Sequence, residues 1–259
     1  MKPILNKSYW LLTIVILLSG CNQVFVTKEH KPDKVVENNM LRGAEYIRLG
    51  KYDVAMQRLQ EALAQDPNYA EAHGVMAILN ERLGRFDEAQ NHYETAITLN
   101  PNDSDIHNNY GQFLCQRGQR TEAEQQFLKA VENPLYKTPF VAYVNAALCV
   151  LRHDDAPKAE VYLRKALQIH PKFSQALYLM AKLSYDQQFY TQAHNYLERY
   201  LEIAQHTEDT LWLGVQIEWQ LNNDPVASKY AQQLRSQYPD SEYIPSLNQL
   251  ERQPVKNEQ

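Results

Sequence analysis

Three cysteines, eight histidines and a scatter of asparagines are the residues of this chain whose types allow chemistry. The histidines make no site. His73 and His107 sit in the same register of two neighbouring segments and read as packing residues. His92, His153, His170 and His194 fall in unrelated registers, with no carboxylate or thiol at ligand spacing. There is no glycine loop to cradle a phosphate and no strained serine turn, so catalysis is not expected. No metal site, cofactor or small-molecule substrate is expected either. Three cysteines are too few for a disulfide framework, which leaves Cys21, Cys115 and Cys149 to be explained by position.

Position follows from a repeat. The run Leu83 to Pro101, LGRFDEAQNHYETAITLNP, has a glycine where a turn needs one. Phe86, Ala89, Tyr93 and Ala96 follow at helical spacing, and a proline ends the run. The same grammar appears upstream from Leu49 to Pro67, and the two prolines lie 34 residues apart, the tetratricopeptide period. Extended along the chain, the period gives six helix-turn-helix units at 36–69, 70–103, 104–139, 140–173, 174–207 and 208–241. A small residue recurs in every second helix (Ala55, Ala89, Ala123, Ala159, Ala193, Ala227), where two helices cross too closely for anything larger. Its partner seven residues on is Ala62, Ala96, Ala130 and Ala166, degenerating to Tyr200 and Leu234 in the last two units. The expected fold is all-α, a right-handed superhelix of six such repeats. Between units three and four the spacing grows by two residues through Asn133-Pro134-Leu135-Tyr136-Lys137-Thr138-Pro139, which must be a loop. Ile244, Leu247 and Leu250 suggest a short capping helix within 242–259, with a disordered tail from Glu251.

Composition sets the partners that such a stack can take. Hydrophobic residues make up 44% and charged residues 22%, as in a soluble globular chain, and the formal charge is −5. No basic block stands out, so nucleic acid is not an expected partner.

The first twenty residues read as an export signal: Lys2 and Lys7 precede an apolar run from Tyr9 to Leu18, about half the length that a spanning helix needs. The run ends in Leu18-Ser19-Gly20-Cys21, which resembles a bacterial lipobox. That resemblance implies cleavage before Cys21 and a covalent lipid on it, several acyl chains making a stable bilayer anchor. Asn22 stands where the inner-membrane retention pattern has Asp, which implies the periplasmic face of the outer membrane. Residues 21–35 then read as the lipidated cysteine and a flexible tether.

In an exported chain, Cys115 and Cys149 acquire a meaning. They fall in the first helices of adjacent units, which pack side by side, so a disulfide is expected. The alternative is two buried thiols. The groove lined by first helices is the expected partner surface. Tyr178 and Tyr185 in unit five repeat in register as Trp212 and Trp219 in unit six. Unit four offers Val144, Leu148 and Leu151. Units one and two offer a competing strip of Met40, Ala44, Ile47 and Ile78. Asn109 and Asn145 share the sixth position of neighbouring units, where repeat proteins can clamp a peptide backbone or simply join two helices. The basic residues of a carboxylate clamp are missing.

Beyond the generic repeat, the run Asn108-Asn109-Tyr110-Gly111-Gln112-Phe113-Leu114-Cys115, the Asn133-Pro134-Leu135-Tyr136 loop, and Asn145 with Cys149 are similar to the PilF/PilW lipoproteins of type IV pilus biogenesis, the pilotins of the pilus secretin. The resemblance implies a non-enzymatic outer-membrane lipoprotein that binds secretin subunits and promotes their localisation and oligomerisation. A general periplasmic repeat scaffold for another envelope complex is the alternative. Unit four departs from the pattern at His153-Asp154-Asp155, where a glycine turn is usual.

Overall fold

The computed structural model describes residues 31–252. The expected leader over residues 1–20, the expected lipid acceptor Cys21, most of the expected tether and the tail from residue 253 lie outside the described residues. Within them the chain is helical, with thirteen helices and no strand. Six hairpins follow one another: α1 (Lys34–Arg48) with α2 (Tyr52–Gln65), α3 (Ala70–Arg82) with α4 (Phe86–Leu99), α5 (Ser104–Gln116) with α6 (Arg120–Glu132), α7 (Pro139–Leu151) with α8 (Ala156–Ile169), α9 (Ser174–Asp186) with α10 (Tyr190–Leu201), and α11 (Glu208–Gln220) with α12 (Asp224–Gln237). A two-turn helix, α13 (Ile244–Glu251), ends the stack.

The hairpins close because small residues stand where helix axes meet. Ala55, Ala89, Ala123, Ala159 and Ala193 are wholly buried. At Gly111 a Cβ would lie 2.8 Å from the Phe127 ring, and at Gly43 it would lie 2.7 Å from Leu59. In both units the glycine makes the space that the large second-helix side chain fills. Each first helix packs on its own second helix, and each second helix reaches the first helix of the next unit, so no unit covers its own apolar face. The main core runs from unit two into unit six, with separate clusters beneath units one and two and beneath α11, α12 and α13.

Within each hairpin the turn passes through the left-handed region at one residue. Gly50, Gly84 and Gly118 hold it in the first three units, with φ between 70° and 78°. Asp154, Gln188 and Asn222 hold it in the last three, at 57°, 64° and 55°. The departure at His153-Asp154-Asp155 therefore changes the residue and keeps the turn. Asp155 also caps α8, its carboxylate accepting from the Lys158 N–H.

The longer connection between units three and four is held by its own side chains. Asn133 accepts from the Leu135 N–H at 2.9 Å and donates through Nδ2 to the Asn102 carbonyl. Tyr136 is tied to Asp105 beneath it. This leaves Leu135 84% exposed at the tip.

Two boundaries differ from the sequence reading. Helix α1 begins at Lys34, so the tether ends earlier than residue 35. Its start is capped by Asp33, which accepts from the Val35 N–H. Glu251, read as tail, belongs to α13, where the Arg235 guanidinium holds it.

Candidate functional site

The odd-numbered helices carry the residues expected to face a partner, and the structure divides them into three regions.

In the first region, on α1 and α3, Ile47 and Ile78 are half-buried, whereas Met40 is buried in the core of units one and two. The exposed apolar surface here comes from other residues. Val35 and Leu41 are each 56% exposed and Leu49 is 50% exposed, three large apolar side chains on or directly after one helix. Reading only the groove positions of the repeat misses them. The available signal was the apolar residues left over once the buried stripe of α1 is assigned.

In the second region, Cys115 and Cys149 form a disulfide between α5 and α7, with a Cα–Cα distance of 5.7 Å. Both are buried. Gln112, Gln116, Asn145, Leu148 and Arg152 surround the bridge in a small cleft of about 80 Å3. Asn145 donates through Nδ2 to Asn108 Oδ1 at 2.9 Å, so two side chains on adjacent first helices satisfy one another. Asn109 is half-buried and takes no part in that bond. Val144, expected in the groove, is fully buried and belongs to the core. It is therefore corrected to a packing residue. Leu148 stays half-buried at the cleft.

In the third region, Tyr185, Trp212 and Trp219 line one cleft of about 200 Å3 with Gln216, Gln220 and, from α13, Ser246, Gln249 and Leu250. The α13 wall was not legible as part of a groove. Trp212 stacks on Tyr243 with ring centroids 5.7 Å apart and planes 13° from parallel. The Tyr243 hydroxyl donates to Asp209 Oδ1 at 2.7 Å, one repeat length away. That bond to a carboxylate raises the Tyr243 pKa above the ordinary phenol range. Tyr178 does not line the cleft. It packs on the main core, where burial raises its pKa.

His73 and His107 each join the two helices of one hairpin. His73 Nε2 donates to the Pro67 carbonyl at 3.0 Å, and its Nδ1 lies 2.9 Å from His92 Nδ1. His107 repeats the arrangement with the Pro101 carbonyl and Gln126 Oε1. Burial, then the neighbouring His73, lowers the His92 pKa. No group of three or more His, Cys, Asp or Glu among the described residues is arranged to hold a metal ion. No described helix is long and apolar enough to cross a membrane.

Comparison with known proteins places this geometry in a family. The tetratricopeptide repeat family model matches residues 46–92, 82–133 and 150–216. The type IV pilus assembly protein PilF of Pseudomonas aeruginosa is 27% identical over 232 residues, covering 88% of this chain and 92% of its own length. A solved structure of Pseudomonas aeruginosa PilF superposes with a TM-score of 0.76 at 25% identity, covering 84% of this chain and 98% of that one. The crystal structure of PilW, described as a widely conserved type IV pilus biogenesis factor, superposes with a TM-score of 0.72 at 30% identity, over 83% and 99%. Similarity that runs the length of both chains is more than shared repeats: the chain belongs to the tetratricopeptide repeat family and, within it, to the PilF/PilW group of repeat proteins.

Proposed function

We propose that the protein is a non-enzymatic lipoprotein of type IV pilus biogenesis. In this reading it is held by a lipid on Cys21 at the periplasmic face of the outer membrane, and it binds secretin subunits to promote their localisation and oligomerisation. The observation that carries the reading is the end-to-end similarity to PilF and PilW, whose names state pilus assembly and biogenesis. The Leu18-Ser19-Gly20-Cys21 run and Asn22 support the anchor and its destination. The exposed apolar side chains of Val35, Leu41 and Leu49 support capture by unit one, close along the chain to the proposed lipid. The mechanism is effective concentration: acyl chains confine the captured subunit to one membrane, where encounters between subunits become frequent.

The test is a deletion strain probed for heat-resistant secretin multimers in fractionated membranes. The reading expects their loss, and rescue by the wild-type chain. A Cys21→Ser chain should accumulate folded, with secretin left in the inner membrane. Multimers of normal abundance and location in the deletion strain would overturn the reading and favour a scaffold for another envelope complex.

A further inference from the structure

The cleft between α11 and α13 has an uncharged lining. Its eight residues are three aromatics, three glutamines, one serine and one leucine, with no ionisable acid or base beyond the Tyr185 phenol. Gln220 is engaged with that phenol. Gln216, Ser246 and Gln249 have no hydrogen-bond partner among the described residues, leaving two primary amides and a hydroxyl to solvent. Trp219 makes no ring contact of its own, whereas Trp212 has one face covered by Tyr243.

The walls are fixed. On one side α11 is locked by the buried Glu218. On the other, α13 is fastened by the fully buried Leu247, by Arg235 bonded to both Asn248 and Glu251, and by Tyr243 bonded to Asp209. The cleft therefore exists before any ligand arrives, and binding does not have to order it.

Flat rings with uncharged donors and acceptors around them suit a ligand that has apolar faces and a hydroxyl edge. A peptide anchored by one apolar side chain needs a pit deep enough to desolvate that side chain. This cleft is shallow, open along one side, and rimmed by polar groups. A pyranose ring stacks on an indole through its axial C–H face and turns its equatorial hydroxyls outward. An amide there offers a donor and an acceptor to adjacent hydroxyls or to an acetamido group.

We infer that the α11–α13 cleft is a binding site for a neutral oligosaccharide, with Trp219 as the stacking platform and Gln216 and Gln249 as the hydrogen-bonding rim. The inference is independent of secretin capture, which falls on unit one at the other end of the fold.

The chain has three tryptophans, Trp10 in the leader and the two in this cleft. In the full chain carrying Trp10→Phe, purified in detergent, all indole fluorescence comes from the site. The probes are chitohexaose, maltohexaose and an uncharged leucine-bearing hexapeptide. The expected result is a saturable indole shift with a hexasaccharide, weakened about tenfold by Trp219→Ala. In that variant Trp212 still reports. Gln216→Leu should also weaken it while leaving the helical melt unchanged, which separates a lost contact from a lost fold. No saturable shift up to about 10 mM sugar, an unchanged titration in Trp219→Ala, or saturation by the peptide in preference to both sugars would each overturn the assignment.

Discussion

His194 on α10 lies with Nδ1 2.6 Å from Oε1 of Glu218 on α11, joining unit five to unit six around a carboxylate with no solvent exposure. Asn223 donates to the other oxygen at 2.6 Å. Both oxygens are thus satisfied, and removing the carboxylate leaves the His194 and Asn223 groups unmatched beside the space it filled. Glu218→Ala should destabilise units five and six by about 1–3 kcal/mol. His194→Ala should cost less, since that ring is one-third exposed and screened by water. Thermal unfolding followed through the indoles of Trp212 and Trp219 reads this directly. Equal midpoints for Glu218→Ala and the wild type would show that the pair holds nothing.

A left-handed turn residue other than glycine costs energy because its Cβ crowds the following carbonyl. Gln188→Gly and Asp154→Gly should therefore stabilise the protein, by up to about 1 kcal/mol each before the entropy of the added glycine is counted. Gly84→Ala should do the opposite. Nothing lies within 4 Å of the added Cβ there, so only the backbone is tested. Denaturant midpoints of the three variants check the sign.

Gly111→Ala forces a methyl into the Phe127 ring, and overpacking of this kind costs about 1–3 kcal/mol. Phe127→Leu in the same chain should recover part of the loss, because unit one already pairs Gly43 with a leucine, Leu59. A double-mutant cycle measured by urea unfolding gives the coupling.

Reducing the Cys115–Cys149 bridge releases a 34-residue loop in the unfolded chain. The expected loss is about 3–4 kcal/mol in the chain-entropy model. It should appear as a lower melting midpoint with reductant, and no such drop should occur in Cys115→Ser/Cys149→Ser. Intact mass of the native protein, with and without reductant, reports the bridge itself.

The His92 pKa is lower in the folded chain than in the unfolded one. The unfolded state therefore binds more protons, and stability rises with pH. The loss on acidification starts at the unfolded pKa, about 6.5, and levels off below the folded value. His92→Gln copies the His107–Gln126 pair of unit three into unit two, and should flatten this dependence between about pH 7 and pH 5. Melting midpoints across that range decide it.

The helices and hairpins were legible because the repeat is written in small residues. An alanine such as Ala89 or Ala123 appears at a close crossing for one steric reason, and that reason recurs every unit. Groove membership was less legible. Val144 and Leu148 look equivalent in sequence, yet one is fully buried in the core and the other half-buried at a cleft. Likewise Asn108, not Asn109, meets Asn145. The distal cleft required α13, whose two turns carry too little periodicity to reveal which side of α11 they would cover. Glu218 gave no signal, because a charged residue in a degenerate unit reads as surface until the helix from the preceding unit is laid against it.

The disulfide stands beside the one seam where the repeat spacing lengthens. If the chain is pulled from its two ends, units one and two can unravel, but unravelling from the front halts at Cys115. The 34 residues to Cys149 remain a closed ring that tension bypasses. Load then passes from α5 directly to α7, and neither α6 nor the Leu135 loop bears it.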